Sequence, residues 1–269
     1  MDALLFSGAL LCYLTVAGTR LVDPAEPPAW LPRALDLALG LGLLSHLGGI
    51  VAMWTASSEP PIRAAGGSVA VIAIVIGVGA LFVRPRDGKG VLAGVHVALV
   101  AVLLGISLLL PRTVAHEAAP ALATVWLPVH AFSLFVGISS FALAFGVSIV
   151  YLWVRRRLKS KQLVGLDRLP SLDSLDQLNT RCVVVGFLAL TLGVAAGGLW
   201  ALTKETPPTG LGEAVWATLI AWGWYAAAVL VRVVGGWRGR LAAHFSVMGF
   251  VGMLVSLGGI LILNQGWHG

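Results

Sequence analysis

The stretch PVHAFSLFVGISSFALAFGVSIVYLWVRRR, residues 128–157, decides the fold class. It runs from Pro128 to Val154 without an Asp, Glu, Lys or Arg, and then ends in three consecutive arginines. A helix needs about 20 apolar residues to cross a hydrocarbon core roughly 30 Å thick. We therefore predict a transmembrane helix over 128–154.

Seven further apolar runs follow the same pattern and are separated by short segments rich in Pro, Gly and charge. Only 11% of the 269 residues are charged and 58% are hydrophobic, whereas a soluble domain carries about 25% charged residues. The sequence predicts an all-α polytopic transmembrane helix bundle of about eight spans, forming a single integral membrane domain, 1–269. The predicted spans are 3–21, 35–56, 67–83, 91–111, 128–154, 182–202, 214–234 and 243–263.

The basic residues predict an orientation. Of the 18 Lys and Arg, 15 lie in the alternate loops near 20–34, 84–90, 155–181 and 232–242. The positive-inside rule places these loops in the cytoplasm, so both termini are predicted to be extracytoplasmic. We expect a multi-pass protein of the bacterial inner (plasma) membrane. The basic residues that give the net charge of +6 then set the orientation and contact anionic membrane lipid. No nucleic-acid partner is predicted.

Two local patterns add detail. In the polar segment 155–181, leucines recur every three residues from Leu166 to Leu178, which predicts a short amphipathic helix on the membrane surface. Gly193 and Gly197 form a GxxxG pair, which is typical of closely packed transmembrane helices.

Histidines are the main candidates for functional residues, because ionisable groups inside a membrane are costly and usually functional. His46 lies near the middle of the second run and shares a helical face with Gly42 and Gly49. The two glycines leave room either for a large flat ligand or for a closely packed neighbouring helix. Both interpretations remain open at this stage.

His130 lies at the outer end of the fifth run, on one face with Ser133, Gly137 and Ser140. This face predicts a small polar groove that descends from the imidazole and opens outward. A neutral imidazole there is able to ligate a metal or haem iron, and the alternative is an interfacial polar residue. The predicted topology returns His268 to the same outer face.

The other histidines are predicted to be interfacial or solvated; they are His96, His116 and His244. No nucleotide-binding glycine loop, nucleophile elbow, zincin motif or paired carboxylate within a span occurs, so no catalytic residue is assigned. A transporter is disfavoured, because no buried charges or broken helices occur at matching places in two halves.

Four stretches together resemble the cytochrome c assembly superfamily, in its CcsA-like branch, which includes the HemX-like proteins. They are WLPVHAFSLFVGISSFALAFGVSIVYL (126–152), VVGFLALTLGVAAGGLWA (184–201), WATLIAWGWYAA (216–227) and GGWRGRLAAHFSVMGFVGMLVSLGGILIL (235–263). Such proteins hold haem between outward-facing histidines, beside a tryptophan-rich external loop, with further histidines within the membrane.

This resemblance implies haem as the cofactor. It makes His130 and His268 the ligands of the haem iron, and His46 an intramembrane histidine that binds the cofactor. The chain departs from the pattern in two places. The tryptophan-rich signature is reduced to Glu213 and Trp216 within TKETPPTGLGEAVW, and the second intramembrane histidine, expected near 230–231, is absent.

Three functions remain open. The first is haem binding and haem handling for cytochrome c assembly, with a cytochrome c assembly partner and with the attachment chemistry left to that partner. The second is a HemX-type regulator of haem biosynthesis, without bound haem, that acts on the level of glutamyl-tRNA reductase, a haem-biosynthesis enzyme. The third is a small-solute transporter. Whether the chain is itself an enzyme is left open.

Overall fold

The computed structural model describes residues 1–22, 28–57, 60–81, 90–111, 126–161, 170–202 and 212–266, with no side-chain detail at 63, 127, 213–214 and 257–266. Within them the chain forms eight α-helices, one short 3₁₀ helix and no strand. The helices are α1 (Asp2–Val22), α2 (Leu31–Ser57), α3 (Ala65–Ala80), α4 (Val91–Leu109), α5 (Trp126–Lys159), α6 (Leu172–Leu202), α7 (Glu213–Val233) and α8 (Arg240–Gly266). The predicted all-helical fold is confirmed.

Six of these helices are long and apolar enough to cross a membrane by length and composition: α1, α2, α4, α5, α6 and α7. The 16-residue α3 and the described part of α8, Arg240–Ser256, are apolar but shorter. Large apolar side chains such as Leu37, Leu188 and Leu192 are more than half exposed, as expected of surfaces that face lipid. The chain is a multi-pass membrane protein. The outward position of both termini stays a prediction.

The helices fall into two compact units. The first contains α1 to α4 and the second contains α5 to α8. The single membrane domain over 1–269 therefore stays a prediction.

In the first unit, α1 packs against α2 and α4, and α3 packs against α4 and α2. At one end of α1, the largely buried Arg20 donates to a carboxylate oxygen of Asp36 on α2 at 2.6 Å. Ser107 on α4 donates to the carbonyl oxygen of Gly66 on α3 at 2.7 Å. These bonds satisfy polar groups that would otherwise be costly in an apolar bundle.

In the second unit, α5 and α6 form the most extensive helix pair, and α8 packs against α5 and α7. Small residues permit the close approach: a Cβ atom on Gly186 would lie 2.6 Å from the ring of Phe141, and one on Gly193 would lie 2.8 Å from the Leu134 side chain. The packing predicted for the Gly193–Gly197 pair is therefore confirmed.

The prediction of a short amphipathic surface helix within 155–181 is wrong for the part of this segment that the structure describes, 155–161 and 170–181. Helix α5 continues through Lys159, and α6 is one helix from Leu172 to Leu202. Ser171 precedes α6, where its hydroxyl oxygen accepts a hydrogen bond from the backbone N–H of Ser174 at 3.1 Å. Leu175 is only 1% exposed, so the first turns of α6 belong to the bundle. Leu166 and Leu169 lie outside the described residues.

Candidate functional site

His130 lies in the second turn of α5 and is held by the backbone of α6. Its Nδ1 atom is 2.7 Å from the carbonyl oxygen of Gly193. A carbonyl oxygen only accepts hydrogen bonds, so Nδ1 must carry the proton and, in the neutral imidazole, Nε2 keeps its lone pair. Histidines that ligate metals are usually held in this way, with the second ring N–H donated to a carbonyl or carboxylate.

Glycines make this contact sterically accessible. A Cβ atom on Gly197 would lie 2.6 Å from Nδ1 of His130 and 2.8 Å from Cε1. The ring of Trp200, one turn further along α6, lies beside the imidazole with 6.4 Å between ring centroids and a 32° tilt. The GxxxG pair therefore positions the histidine as well as packing the two helices.

The polar groove predicted below His130 is absent in this part of the structure. A Cβ atom on Gly137 would already lie 3.4 Å from the backbone of Gly186 and Leu190, so α6 fills the space. Ser133 and Ser140 are 7% and 8% exposed, and the Ser140 hydroxyl donates to its own helix. Helix α6 closes this face because its glycines remove the side chains that would have kept it open.

The second predicted iron ligand, His268, lies outside the described residues, as do His116 and the loop 203–211. No group of three or more His, Cys, Asp or Glu side chains arranged to hold a metal ion occurs in the described ranges. His130 is thus the one predicted iron ligand whose surroundings are visible. Trp216, which stands near the place of the family's tryptophan signature, is 56% exposed on α7.

His46 belongs to the first unit and is completely buried in α2. Its Nδ1 atom is 3.2 Å from the hydroxyl oxygen of Tyr13. The two neighbouring glycines accommodate aromatic rings of α1, since a Cβ atom on Gly42 would lie 3.0 Å from Tyr13 and one on Gly49 would lie 2.6 Å from Phe6. Of the two interpretations left open for these glycines, the described structure therefore favours close packing of a neighbouring helix.

Two further histidines are bound to their own helices. The Nδ1 atom of His96 lies 2.9 Å from the carbonyl oxygen of Leu92, and that of His244 lies 2.7 Å from the carbonyl oxygen of Arg240. His96 is 0% exposed, so a solvated position is wrong for it, whereas its position at the membrane interface stays a prediction. Both contacts span one helical turn and involve no other helix.

A buried polar cluster in the second unit was not predicted. Asn179 is 3% exposed, and its amide nitrogen donates to the Ala144 carbonyl oxygen at 2.8 Å and to the Ser148 hydroxyl oxygen at 2.7 Å. Its amide oxygen accepts from Arg232 and, at 3.1 Å, from the Ser246 hydroxyl. The side chain therefore makes its full set of four hydrogen bonds and joins all four helices.

Arg232 is the cationic member of this cluster, which we call the Asn179 cluster (Asp176, Asn179, Thr180, Arg232 and Ser246). Its guanidinium also donates to the Thr180 hydroxyl oxygen and lies 3.9 Å from the carboxylate of Asp176. The same carboxylate accepts from the backbone N–H of Gly239 at 2.9 Å, in the turn between α7 and α8. Arg232 was counted as a loop charge, but it is 9% exposed in the last turn of α7.

One signal could have revealed this cluster. Asp176, Asn179 and Thr180 are spaced three and four residues apart, so they share one helical face. A polar face on a helix that continues into an apolar span indicates an internal partner as readily as a membrane surface. Their partners on α5, α7 and α8 lie too far along the sequence to be identified from spacing.

The chain is similar to known proteins over most of its length. Residues 37–268 match the family described as Cytochrome C assembly protein. The cytochrome c biogenesis protein CcsA of Parasynechococcus marenigrum is 28% identical over 269 residues, covering 87% of this chain and 85% of that protein. CcsA of Synechococcus sp. (strain WH7803) is 27% identical over 274 residues, covering 86% and 82%. CcsA of Gloeothece citriformis is 35% identical over a shorter 115 residues, covering 39% and 32%.

Proposed function

Since this chain belongs to the cytochrome c assembly protein family and has a role in cytochrome c biogenesis, we propose that it binds haem in a bacterial inner membrane and handles it for cytochrome c assembly. His130 is the residue on which the proposal rests. Its Nδ1–H donates to the Gly193 carbonyl oxygen, which leaves Nε2 as a free lone pair suited to a metal.

The residues present fit a haem group at His130. The imidazole is only partly buried, Trp200 supplies an aromatic wall beside it, and no hydrogen bond within the described residues occupies Nε2. His268 is proposed as the second iron ligand and His46 as a cofactor-binding residue within the membrane, both by family resemblance. When bound, the haem iron would supply the redox chemistry of the site.

The role proposed for this chain is to bind and orient haem. The hydrogen bond from Nδ1 sets the ring's tautomer, Gly197 gives the ring its place against α6, and the apolar helix walls limit the access of water. No nucleophile or general acid of this chain is assigned to the attachment of haem. That chemistry is proposed to belong to a cytochrome c assembly partner.

Haem content of the purified full-length protein tests the proposal. We expect stoichiometric haem by the pyridine haemochrome assay in the wild type and a large loss in His130→Ala. His244→Ala is the matched control, because its imidazole is bonded, within the part of the chain that the structure describes, to its own helix alone, and it should keep the wild-type content. Haem-free wild-type protein, or undiminished haem in His130→Ala, would contradict the proposal.

A second candidate, regulation of haem biosynthesis without bound haem, is favoured by one observation. Arg155, Arg156 and Lys159 are exposed at the end of α5, where the charge distribution predicts the cytoplasm, and they offer a docking surface for a cytoplasmic enzyme. A haem-free wild type whose deletion changes the level of glutamyl-tRNA reductase would support this candidate over the first.

A further inference from the structure

The pairing of Tyr13 with His46 assigns a specific protonation pattern to the buried histidine. Both side chains are 0% exposed, and the Tyr13 hydroxyl oxygen lies 3.2 Å from Nδ1 of His46. The ring of Phe6 meets the imidazole edge-on, with 5.6 Å between centroids and an 87° angle between planes. Two side chains of α1 therefore fix the orientation of the ring.

The available acceptors decide whether the Tyr13 hydroxyl or Nδ1 of His46 is the donor. Nδ1 of His46 is the one partner of the Tyr13 hydroxyl among the described residues. If Nδ1 carried the proton, both the hydroxyl proton of Tyr13 and the lone pair of Nε2 would lack a partner in the described residues, whereas with the proton on Nε2 only that N–H lacks one. Each buried polar group without a partner costs about 1–3 kcal/mol. Tyr13 therefore donates and Nδ1 accepts, so the neutral imidazole carries its single proton on Nε2.

The ring proton of His46 is thus on the opposite nitrogen from that of His130. At His130 the ring proton is on Nδ1 and Nε2 keeps a lone pair. At His46 the lone pair is used by Tyr13, and Nε2 carries a proton. This Nε2 atom is buried and makes no hydrogen bond of good geometry in the described ranges, although the backbone of Ala70 on α3 is close enough to interact with the ring.

We propose that Tyr13 is a positioning residue that holds His46 in the Nε2–H tautomer. While this hydrogen bond is made, neither ring nitrogen of His46 is free to ligate a metal. The remaining polar group of the ring is then the Nε2–H donor. Applied to haem, the proposal rests on the proposed function and deepens it: while Tyr13 holds this bond, His46 does not ligate the iron.

The tautomer itself is measurable without haem. Full-length protein labelled with ¹⁵N-histidine is reconstituted in lipid, and the His46 signals are assigned by their loss in His46→Gln. We expect an unprotonated Nδ1 and a protonated Nε2 in the wild type, and a shifted or mixed pattern in Tyr13→Phe. Tyr225→Phe is the matched control, because it removes a buried hydroxyl that has no partner in the described residues, and it should leave the His46 signals unchanged. A protonated Nδ1 in the wild type overturns the proposal.

Haem-loaded protein supplies the second readout, the iron-ligand absorption and electron paramagnetic resonance spectra. His46→Ala should leave the ligand signature of the iron intact, whereas His130→Ala should change it. A change in His46→Ala equal to that in His130→Ala overturns the inference and leaves the proposed function standing. A wild type that binds no haem contradicts the proposed function, while the ¹⁵N measurement still decides the tautomer.

Discussion

Gly197 lies directly against the imidazole of His130, because a Cβ atom at this position would come within 2.6 Å of Nδ1. The glycine is therefore what allows the ring to reach the Gly193 carbonyl oxygen at 2.7 Å. This relation links a packing feature of the sequence, the GxxxG pair, to the tautomer of the proposed iron ligand.

Gly197→Ala should weaken haem binding even though it removes no polar group. The added methyl must displace the ring and with it the Nδ1–H bond, and loss of such a supporting bond typically costs about 10–100-fold in metal affinity. Haem titration of the purified protein measures the effect. Gly198→Ala is the control, since a Cβ atom there meets nothing within 4 Å, and equal affinities for the two variants would contradict the prediction.

The Asn179 cluster predicts a large loss of stability in Asn179→Leu. The substitution leaves the Arg232 guanidinium and the Ser246 hydroxyl each short of an acceptor in an apolar bundle, and a buried polar group left without its partner costs about 1–3 kcal/mol. Unfolding of the protein in mixed micelles gives the change in the free energy of unfolding.

Gln177→Leu is the control for that experiment. Gln177 is an exposed amide on the same helix, bonded to Asp173 at 2.7 Å, and surface substitutions usually stay within about 0.5 kcal/mol. If the two variants lose the same stability, the buried network is not what stabilises this end of the bundle.

The turn between α7 and α8 predicts a difference between two glycines. Gly236 and Gly239 both have left-handed backbones, with φ of 62° and 73°, so alanine costs about 1–2 kcal/mol at either. Only at Gly239 does the added Cβ also meet a neighbour, the Tyr151 hydroxyl oxygen at 2.9 Å. Gly239→Ala should therefore melt at a lower temperature than Gly236→Ala. Adding Tyr151→Phe should remove most of that difference, and its persistence would refute the clash.

Much of the fold follows from the sequence because a membrane restricts the choices. A long apolar run in lipid satisfies its backbone hydrogen bonds by forming a helix, so the apolar runs alone located the eight α-helices of the described residues. The error at 155–181 has a specific cause. The leucine spacing was correct for a helix, but whether Asp176 and Asn179 face water or Arg232 depends on a residue more than fifty positions away.

Parts of the candidate site could also be predicted from the sequence. His130 was identified from its position at the end of an apolar run, and the GxxxG spacing indicated a close helix contact. Their combination was not predictable, because His130 and Gly193 are 63 residues apart and spacing within one helix does not identify the partner helix. The same limit applies to Tyr13 and His46, whose hydrogen bond joins two helices.

The orientation of the chain is the last prediction. Since 15 of the 18 Lys and Arg lie in alternate loops, the end of α5 at Ser160 should be cytoplasmic and the start of α7 at Gly212 should be outside. Single cysteines at these two exposed positions test this in a background without the native Cys12 and Cys182. A membrane-impermeant maleimide should label Gly212→Cys in intact cells and Ser160→Cys only after lysis. The reverse pattern would place His130 on the cytoplasmic face and contradict the outward-facing haem site.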